Sequence, residues 1–182
     1  MKPRPIWIVL AITLASIALL MKMNLVPGGG TILIVSLSAL AILFFFRARG
    51  TPEFALESRM QLFIYKLLNY TFSLMAIAIL FRYQWYHGWN VYFMIGIPTF
   101  LICSILALSM KGTIWIDENK KAIRQTILIP WIFIFITTGL HIYLSSEKFY
   151  NTFSYRRANM SYQQFVDSLT ANPPQGRYSN SK

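Results

Sequence analysis

Acidic residues and cysteine are scarce in this chain, and both shortages exclude functions. Only 6 of the 182 residues are Asp or Glu, and none of them lies in a long apolar segment. General acid–base catalysis, carboxylate metal sites and proton relays need carboxyl groups that converge, so an enzyme is the least expected class. The single cysteine, Cys103, excludes a disulfide framework and a cysteine-based metal site. No catalytic residue and no cofactor is predicted.

Charged residues of both signs are few, and hydrophobic residues are abundant. Charged residues make up 13% of the chain and hydrophobic residues 55%, whereas a typical soluble domain has about 25% charged residues. The net charge of +11 comes from Lys and Arg that punctuate apolar runs, a pattern typical of membrane anchoring and not of a nucleic-acid-binding face. We therefore expect an integral membrane protein. Its expected partners are membrane lipid and other membrane proteins or a second copy, and no nucleic acid.

Five apolar segments are long enough, or nearly so, to cross a membrane. A transmembrane helix needs about 20 apolar residues to cross a hydrocarbon core of about 30 Å. The second segment has about 16 uncharged residues, which span about 24 Å, so a four-span arrangement stays open. The sequence predicts an all-α polytopic membrane domain over residues 1–145 and a polar tail over 146–182, with spans at about 5–25, 31–48, 62–82, 91–110 and 125–144.

A helical hairpin is predicted for the first two segments. Lys22 falls in the last turn of the first helix, where a cation is favourable and its stem can carry the ammonium to the lipid headgroups. Pro27 cannot continue that helix, and Gly28 with the next two glycines permits a tight reversal. Thr31 makes a suitable N-cap for the second helix. A secretory signal is the alternative, but no small-x-small cleavage site precedes the turn, so a retained span is expected.

A family resemblance lies on this hairpin. The stretch LLMKMNLVPGGGTILIVSLSALAILFFF, residues 19–46, resembles the two-helix membrane hairpin of the motor subunit of the gliding-motility and type IX secretion apparatus. The matching positions are Lys22, Pro27 and Gly28. The resemblance implies a shared hairpin design. The proton-driven role of that family implies an acidic group inside the membrane helices, where the second helix here offers only Ser36 and Ser38.

One polar stripe is predicted on the third span. Its members lie three, four and seven residues apart and so share one helix face: Lys66, Asn69, Tyr70 and Ser73. One interpretation is the lining of an ion or substrate path, because an ionisable group inside a span often marks such a path. The other is that Lys66 reaches the interface while Asn69 and Ser73 bond a neighbouring helix. Both interpretations stay open at this point.

Aromatic residues crowd the connection between the third and fourth spans. The stretch FRYQWYHGWNVYF, residues 81–93, includes Trp85 and Trp89. It is typical of an interfacial aromatic belt, and the alternative is a cage for a cationic ligand. His141, near the end of the fifth span, is either an interfacial polar residue or the partner of Ser145 in a nucleophile pair.

Two loops carry local signals of their own. Thr51, Pro52 and Glu53 are typical of a helix start, which would extend the third helix by about ten residues before the apolar run. Residues 112–125 alternate apolar and polar side chains before a polar turn, so they indicate a short β-hairpin or an interfacial segment.

The tail contains a short amphipathic helix, predicted over residues 161–171. Ser161 and Gln164 have the spacing of a capping box. The apolar residues that follow recur at helical spacing and predict a docking face for a partner or a lipid surface: Tyr162, Phe165, Val166 and Leu169.

The function favoured by these features is a small accessory or scaffold subunit of a membrane protein complex. The alternative is a transporter or channel subunit that uses the polar stripe. The expected location is the bacterial cytoplasmic (inner) membrane, with the N-terminus inside and the C-terminus outside.

The orientation is testable, because Lys and Arg favour the cytoplasmic side of short flanking loops. With five spans the inside flanks hold nine cations, namely Lys2, Arg4, Arg47, Arg49, Arg59, Lys111, Lys120, Lys121 and Arg124. The outside flanks hold five, namely Lys22, Arg82, Lys148, Arg156 and Arg157.

In a Cys103→Ser background, a cysteine added after Lys182 should react with an impermeant maleimide from outside the cell. A cysteine at Arg49 serves as the inside control and should react only after the cells are opened. Exclusively cytoplasmic labelling of the added C-terminal cysteine contradicts the five-span topology.

Overall fold

The computed structural model describes residues 5–24, 26–50, 59–85, 89–109, 127–144, 146–153 and 161–171. Every regular element in these ranges is a helix. In chain order they are α1 (Pro5–Met23), α2 (Gly29–Arg49), α3 (Arg59–Gln84), α4 (Trp89–Ser109), α5 (Ile129–Tyr143), α6 (Ser146–Phe153) and α7 (Tyr162–Ala171).

The predicted all-α polytopic membrane architecture is confirmed. Helices α1 to α4 are each long and apolar enough to cross a membrane, and the count rises to five if α5 and α6 form one bent span. Their axes differ by 120°. With 15 residues α5 is about 22 Å long, which is shorter than a hydrocarbon core of about 30 Å.

Consecutive helices α2 and α3 run in opposite directions, as contacts at both of their ends demonstrate. At one end, Gln84 near the end of α3 donates from Nε2 to the carbonyl oxygen of Gly30 at the start of α2, 2.8 Å away. At the other, Arg47 near the end of α2 donates from Nε to the hydroxyl of Tyr65 near the start of α3, at 2.6 Å. We call these the Gln84 end and the Arg47 end of the bundle.

Helix α3 is the central helix of the bundle. It packs against α2, α4 and α5, while α1 packs against α2. Its interior face is almost fully covered and includes Phe72, Met75, Ala76 and Ile79. Large apolar side chains on the outer faces are exposed, among them Val35, Met94 and Ile105, as expected of side chains that face lipid.

The turn between α1 and α2 differs from its prediction in one respect. Gly28 has φ +89° and precedes the first residue of α2, so the helix begins at Gly29 and the prediction of Thr31 as N-cap is wrong. The left-handed conformation of Gly28 starts the helix earlier, and Ile32 N–H already bonds the Gly28 carbonyl at 3.1 Å. Pro27 lies in the turn, as predicted.

The predicted spans and the observed helices agree within a few residues at most ends. Pro130 lies in the first turn of α5, a position that proline tolerates because the missing N–H has no intrahelical partner there. The predicted helix start at Thr51 and the predicted hairpin or interfacial segment at 112–125 lie outside the described residues.

Helix α6 was not predicted, since residues after 145 were assigned to a polar tail. It packs on α1, and it buries three aromatic side chains: Phe149, Tyr150 and Phe153. The packed part of the chain therefore continues at least to residue 153.

The turn generates a prediction on two adjacent glycines. A Cβ at Gly29 would lie 3.0 Å from the Met21 Cβ and 3.1 Å from the Lys22 backbone nitrogen, whereas at Gly30 it would meet only the Gln84 side chain, at 3.6 Å. Gly29→Ala should destabilise the fold by about 1–3 kcal/mol, because α1 and α2 must separate.

Gly30→Ala is the matched control and should be neutral or stabilising by up to about 1 kcal/mol, since alanine favours a helix. Thermal unfolding of both variants in the same detergent measures the difference. Equal stability of the two variants contradicts the close approach of α1 and α2.

Candidate functional site

The candidate site is the Gln84 end of the bundle, where an arginine is buried. Arg82 lies in the last turn of α3 and only 1% of its surface is exposed. No Asp or Glu occurs in the described stretches of α1 to α5. Burial of a cation is costly unless partners compensate, so the surroundings of Arg82 need an explanation.

Three aromatic rings surround the Arg82 guanidinium. Its central carbon lies 4.5 Å from the ring centre of Trp85, 4.1 Å from that of Trp89 and 4.3 Å from that of Phe149. Such cation–π contacts are each worth about 0.5–2 kcal/mol. The aromatic connection thus does form a cage, and the cation inside it is a side chain of the chain itself.

His141 of α5 supplies a hydrogen-bond acceptor to the caged guanidinium. Arg82 Nε donates to His141 Nδ1 at 3.0 Å, so that nitrogen carries no proton and the imidazole is neutral in this arrangement. The imidazole also packs against the rings of Phe93 and Trp89, with centres 4.5 Å and 5.2 Å away. Ser145, the other member of the conceivable nucleophile pair, lies outside the described residues.

The cage requires an unusual backbone conformation at Trp85. Its φ of +58° is left-handed, which costs a bulky residue about 1–2 kcal/mol. Trp85 N–H bonds the Arg82 carbonyl at 3.2 Å, so the chain turns back at this residue. The indole then reaches the guanidinium and packs against Phe149 and Tyr150, with ring centres at 6.0 Å and 5.7 Å.

The position of the Lys22 ammonium corrects the sequence analysis. Lys22 lies in the last turn of α1 as expected, but it is only 7% exposed and its Nζ donates to the Tyr83 backbone carbonyl instead of reaching the headgroups. The reason is that the last carbonyls of a helix have no intrahelical donor and so offer free acceptors. Lys22 therefore anchors α1 to the end of α3.

Tyr83 and Gln84 complete the contacts of this helix end. The Tyr83 hydroxyl donates to the Thr137 carbonyl of α5 at 3.3 Å, and its ring packs against Phe149 and Phe153 of α6, with both ring centres 4.8 Å away. Gln84 bonds α2. We call Arg82, Tyr83 and Gln84 the α3 joint, because these three consecutive residues contact all five neighbouring helices, α1, α2, α4, α5 and α6.

Two residues of the predicted polar stripe, Asn69 and Ser73, are buried in the bundle. Ser73 Oγ donates to the Ala41 carbonyl of α2 at 2.8 Å. Asn69 is fully buried, and its Nδ2 donates to the Tyr65 carbonyl of its own helix at 2.8 Å. The Asn69 Oδ1 atom has no partner among the described residues.

The other two residues of the stripe, Lys66 and Tyr70, are less buried. Tyr70 is exposed and its ring packs edge-on against Phe45 of α2, with centres 5.9 Å apart. Lys66 is half-buried. The structure thus bonds Ser73 to α2, buries Asn69 on a hydrogen bond within α3 and leaves Tyr70 on the surface.

The predicted capping box starts the tail helix α7. Ser161 N–H donates to Gln164 Oε1 at 3.0 Å, and Gln164 N–H donates to Ser161 Oγ at 3.2 Å. The Tyr162 ring lies 5.7 Å from the Tyr150 ring of α6. Of the other three predicted docking residues, Val166 is half-buried, and the side chains of Phe165 and Leu169 lie outside the described part of the chain.

Neither the role of Arg82 as the caged cation nor the contribution of α6 was predicted. Arg82 entered only as a flanking cation, and the aromatic residues of α6 were not considered. A signal existed, because Phe149, Tyr150 and Phe153 have the spacing of one apolar helix face. Nothing in the sequence indicates that Trp85 turns back over Arg82.

The fold defines an all-α polytopic membrane protein. In the ranges described above, no three His, Cys, Asp or Glu side chains come together as a metal site would require. The chain matches no protein-family model, no curated protein and no solved structure.

The contact between Arg82 and His141 is testable by a double-mutant cycle. His141→Phe keeps a ring but removes the acceptor, so it should destabilise the protein by about 1–3 kcal/mol by leaving a buried charged donor unpaired. The same change in an Arg82→Met background should have little effect. Unfolding of the four proteins in one detergent measures the coupling, and equal effects in both backgrounds contradict the contact.

Proposed function

We propose that this chain is a small accessory or scaffold subunit of a membrane protein complex. The observation that carries the proposal is the use made of its polar groups. Many polar side chains in the described spans bond the backbone of their own helix, and several others bond other helices of the same bundle. Examples are Lys22 to α3, Ser73 to α2 and Gln84 to α2.

The tail helix supports a docking role. A helix of ten residues is marginal in water alone, so α7 needs a surface. It contacts the bundle through α6, at the Tyr150 and Tyr162 rings. The surface proposed to dock to another membrane protein, a second copy of the chain or membrane lipid is the predicted apolar face, whereas Gln163 and Gln164 lie on the exposed polar side.

The alternative role is a transporter or channel subunit that uses the polar stripe. That role requires Lys66, Asn69, Tyr70 and Ser73 to line one path. Their described environments favour helix packing instead, since Ser73 is bonded to α2 and Tyr70 is exposed on the outer surface.

The proposed location is the bacterial inner membrane, with the N-terminus inside and the C-terminus outside. In this orientation the Gln84 end faces outward. Two of the five outside cations, Lys22 and Arg82, are buried in the bundle and so do not oppose the orientation as exposed charges would.

Purification in a mild detergent, followed by mass spectrometry of the intact assembly, tests the subunit proposal. We expect a complex of fixed stoichiometry that contains this chain and at least one other membrane protein. A chain that is alone in detergent and that by itself carries out solute or ion flux in liposomes contradicts the proposal and supports the transporter alternative.

The tail helix provides a variant for the same experiment. Phe165→Ser combined with Leu169→Ser should release the partner while the spans still insert, because the two changes remove the predicted apolar docking face. Gln163→Ser, on the exposed side of α7, is the matched control and should retain the partner. If the double variant retains every partner, α7 is not the docking element.

A further inference from the structure

The Gln84 end carries positive charge that no described residue balances. Lys22 and Arg82 are both buried there. The acidic residues in the described ranges are Glu147 and Asp167, and both are exposed. Cations in a low-dielectric interior strongly favour a nearby anion, so this end of the bundle has the electrostatics of an anion site.

One donor of the buried guanidinium has no acceptor. Arg82 Nε donates to His141, whereas Nη1 is buried and has no hydrogen-bond partner among the described residues. Aromatic rings cover the guanidinium faces but accept no conventional hydrogen bond. Buried polar groups are nearly always paired, and an unpaired charged donor therefore indicates a missing acceptor.

We propose that Arg82, held by His141, binds a phosphate group at the Gln84 end, where Lys22 is the second buried cation. Guanidinium and ammonium groups are the usual phosphate ligands in proteins, and a phosphate carries one or two negative charges to balance two buried cations. With 26 residues α3 is about 39 Å long, which exceeds a hydrocarbon core of about 30 Å. The joint at its end therefore lies near headgroup level, where phospholipid phosphate and soluble phosphate are both accessible.

Helix α6 is the cover of this site. Its Phe149 ring lies 4.3 Å from the guanidinium carbon, and α6 meets α5 at a 120° bend. The described ring contacts between α6 and the α3 end are all aromatic, from Phe149 and Phe153 to Tyr83 and from Tyr150 to Trp85. Of the three rings around Arg82, only that of Phe149 belongs to this eight-residue helix, so a shift of α6 would uncover the part of the guanidinium that Phe149 covers.

The experiment uses the full chain in an uncharged detergent and has two arms. Inorganic phosphate is titrated while tryptophan fluorescence is recorded, because Trp85 and Trp89 lie against Arg82. In parallel, native mass spectrometry counts lipids retained from nanodiscs of phosphatidylglycerol or of phosphatidylcholine. Saturation by inorganic phosphate identifies a soluble ligand, and selective retention of phosphatidylglycerol identifies a lipid headgroup; either result supports the proposal.

Arg82→Gln should weaken binding by at least about tenfold, the usual worth of a hydrogen bond to a charged group. Arg49→Gln is the matched control, because Arg49 is an exposed arginine at the Arg47 end, and it should bind as the parent chain does. Absence of binding in both arms overturns the proposal, and so does equal weakening by the two substitutions.

A second pair of variants keeps the proposal testable if Arg82→Gln fails to fold. Phe149→Leu removes the ring over Arg82, whereas Phe153→Leu removes a buried ring that packs on Tyr83 and Phe149. Phosphate or lipid binding should tighten in Phe149→Leu and stay near the parent value in Phe153→Leu. Equal affinity of both variants and the parent chain contradicts the role of α6 as cover. Absence of phosphate or lipid binding by the parent chain and by both variants overturns the site.

Discussion

A buried arginine with no carboxylate partner among the described residues organises one end of this bundle. Removal of a cation from water costs several kcal/mol even after relaxation, and three cation–π contacts with one hydrogen bond to His141 offset that cost. Each compensating group comes from a different place in the chain. Trp85 needs a left-handed backbone, Trp89 starts α4, His141 ends α5 and Phe149 lies on α6. The position of Arg82 therefore constrains where the chain turns after α3 and where α6 must pack.

The neighbouring residues extend this constraint to the other helices. The Tyr83 carbonyl accepts from Lys22 of α1, and Gln84 donates to the carbonyl of Gly30 in α2. In a membrane there is no hydrophobic drive between helices, so close packing and such polar contacts hold the spans together. Two members of the polar stripe follow the same pattern. Ser73 and Asn69 serve packing in the middle of α3, as the α3 joint does at its end.

The helices were largely predictable, and the joint was not. Apolar runs bounded by proline, glycine and cations located α1 to α5, because hydrocarbon thickness sets both length and composition. Lys22 was placed in the correct turn, but its direction depends on a carbonyl 61 residues away in α3. The cage was considered as an alternative, yet only the folded chain brings Arg82 and Phe149 together. Helix α6 was not predicted because polar residues lie between its aromatic residues in the sequence. Its aromatic face is buried only once the chain has folded against the end of α3.

Hydroxyl-radical footprinting of the unmodified protein in nanodiscs tests the central claim, that α6 folds back over the α3 joint. Three tyrosines of the Gln84 end give an internal comparison. Tyr83 of α3 and Tyr150 of α6 are almost fully buried where these two helices pack, whereas Tyr143 at the end of α5 is 87% exposed. We expect rapid oxidation of Tyr143 and strong protection of Tyr83 and Tyr150. Oxidation of Tyr83 and Tyr150 at the rate of Tyr143 would contradict that claim.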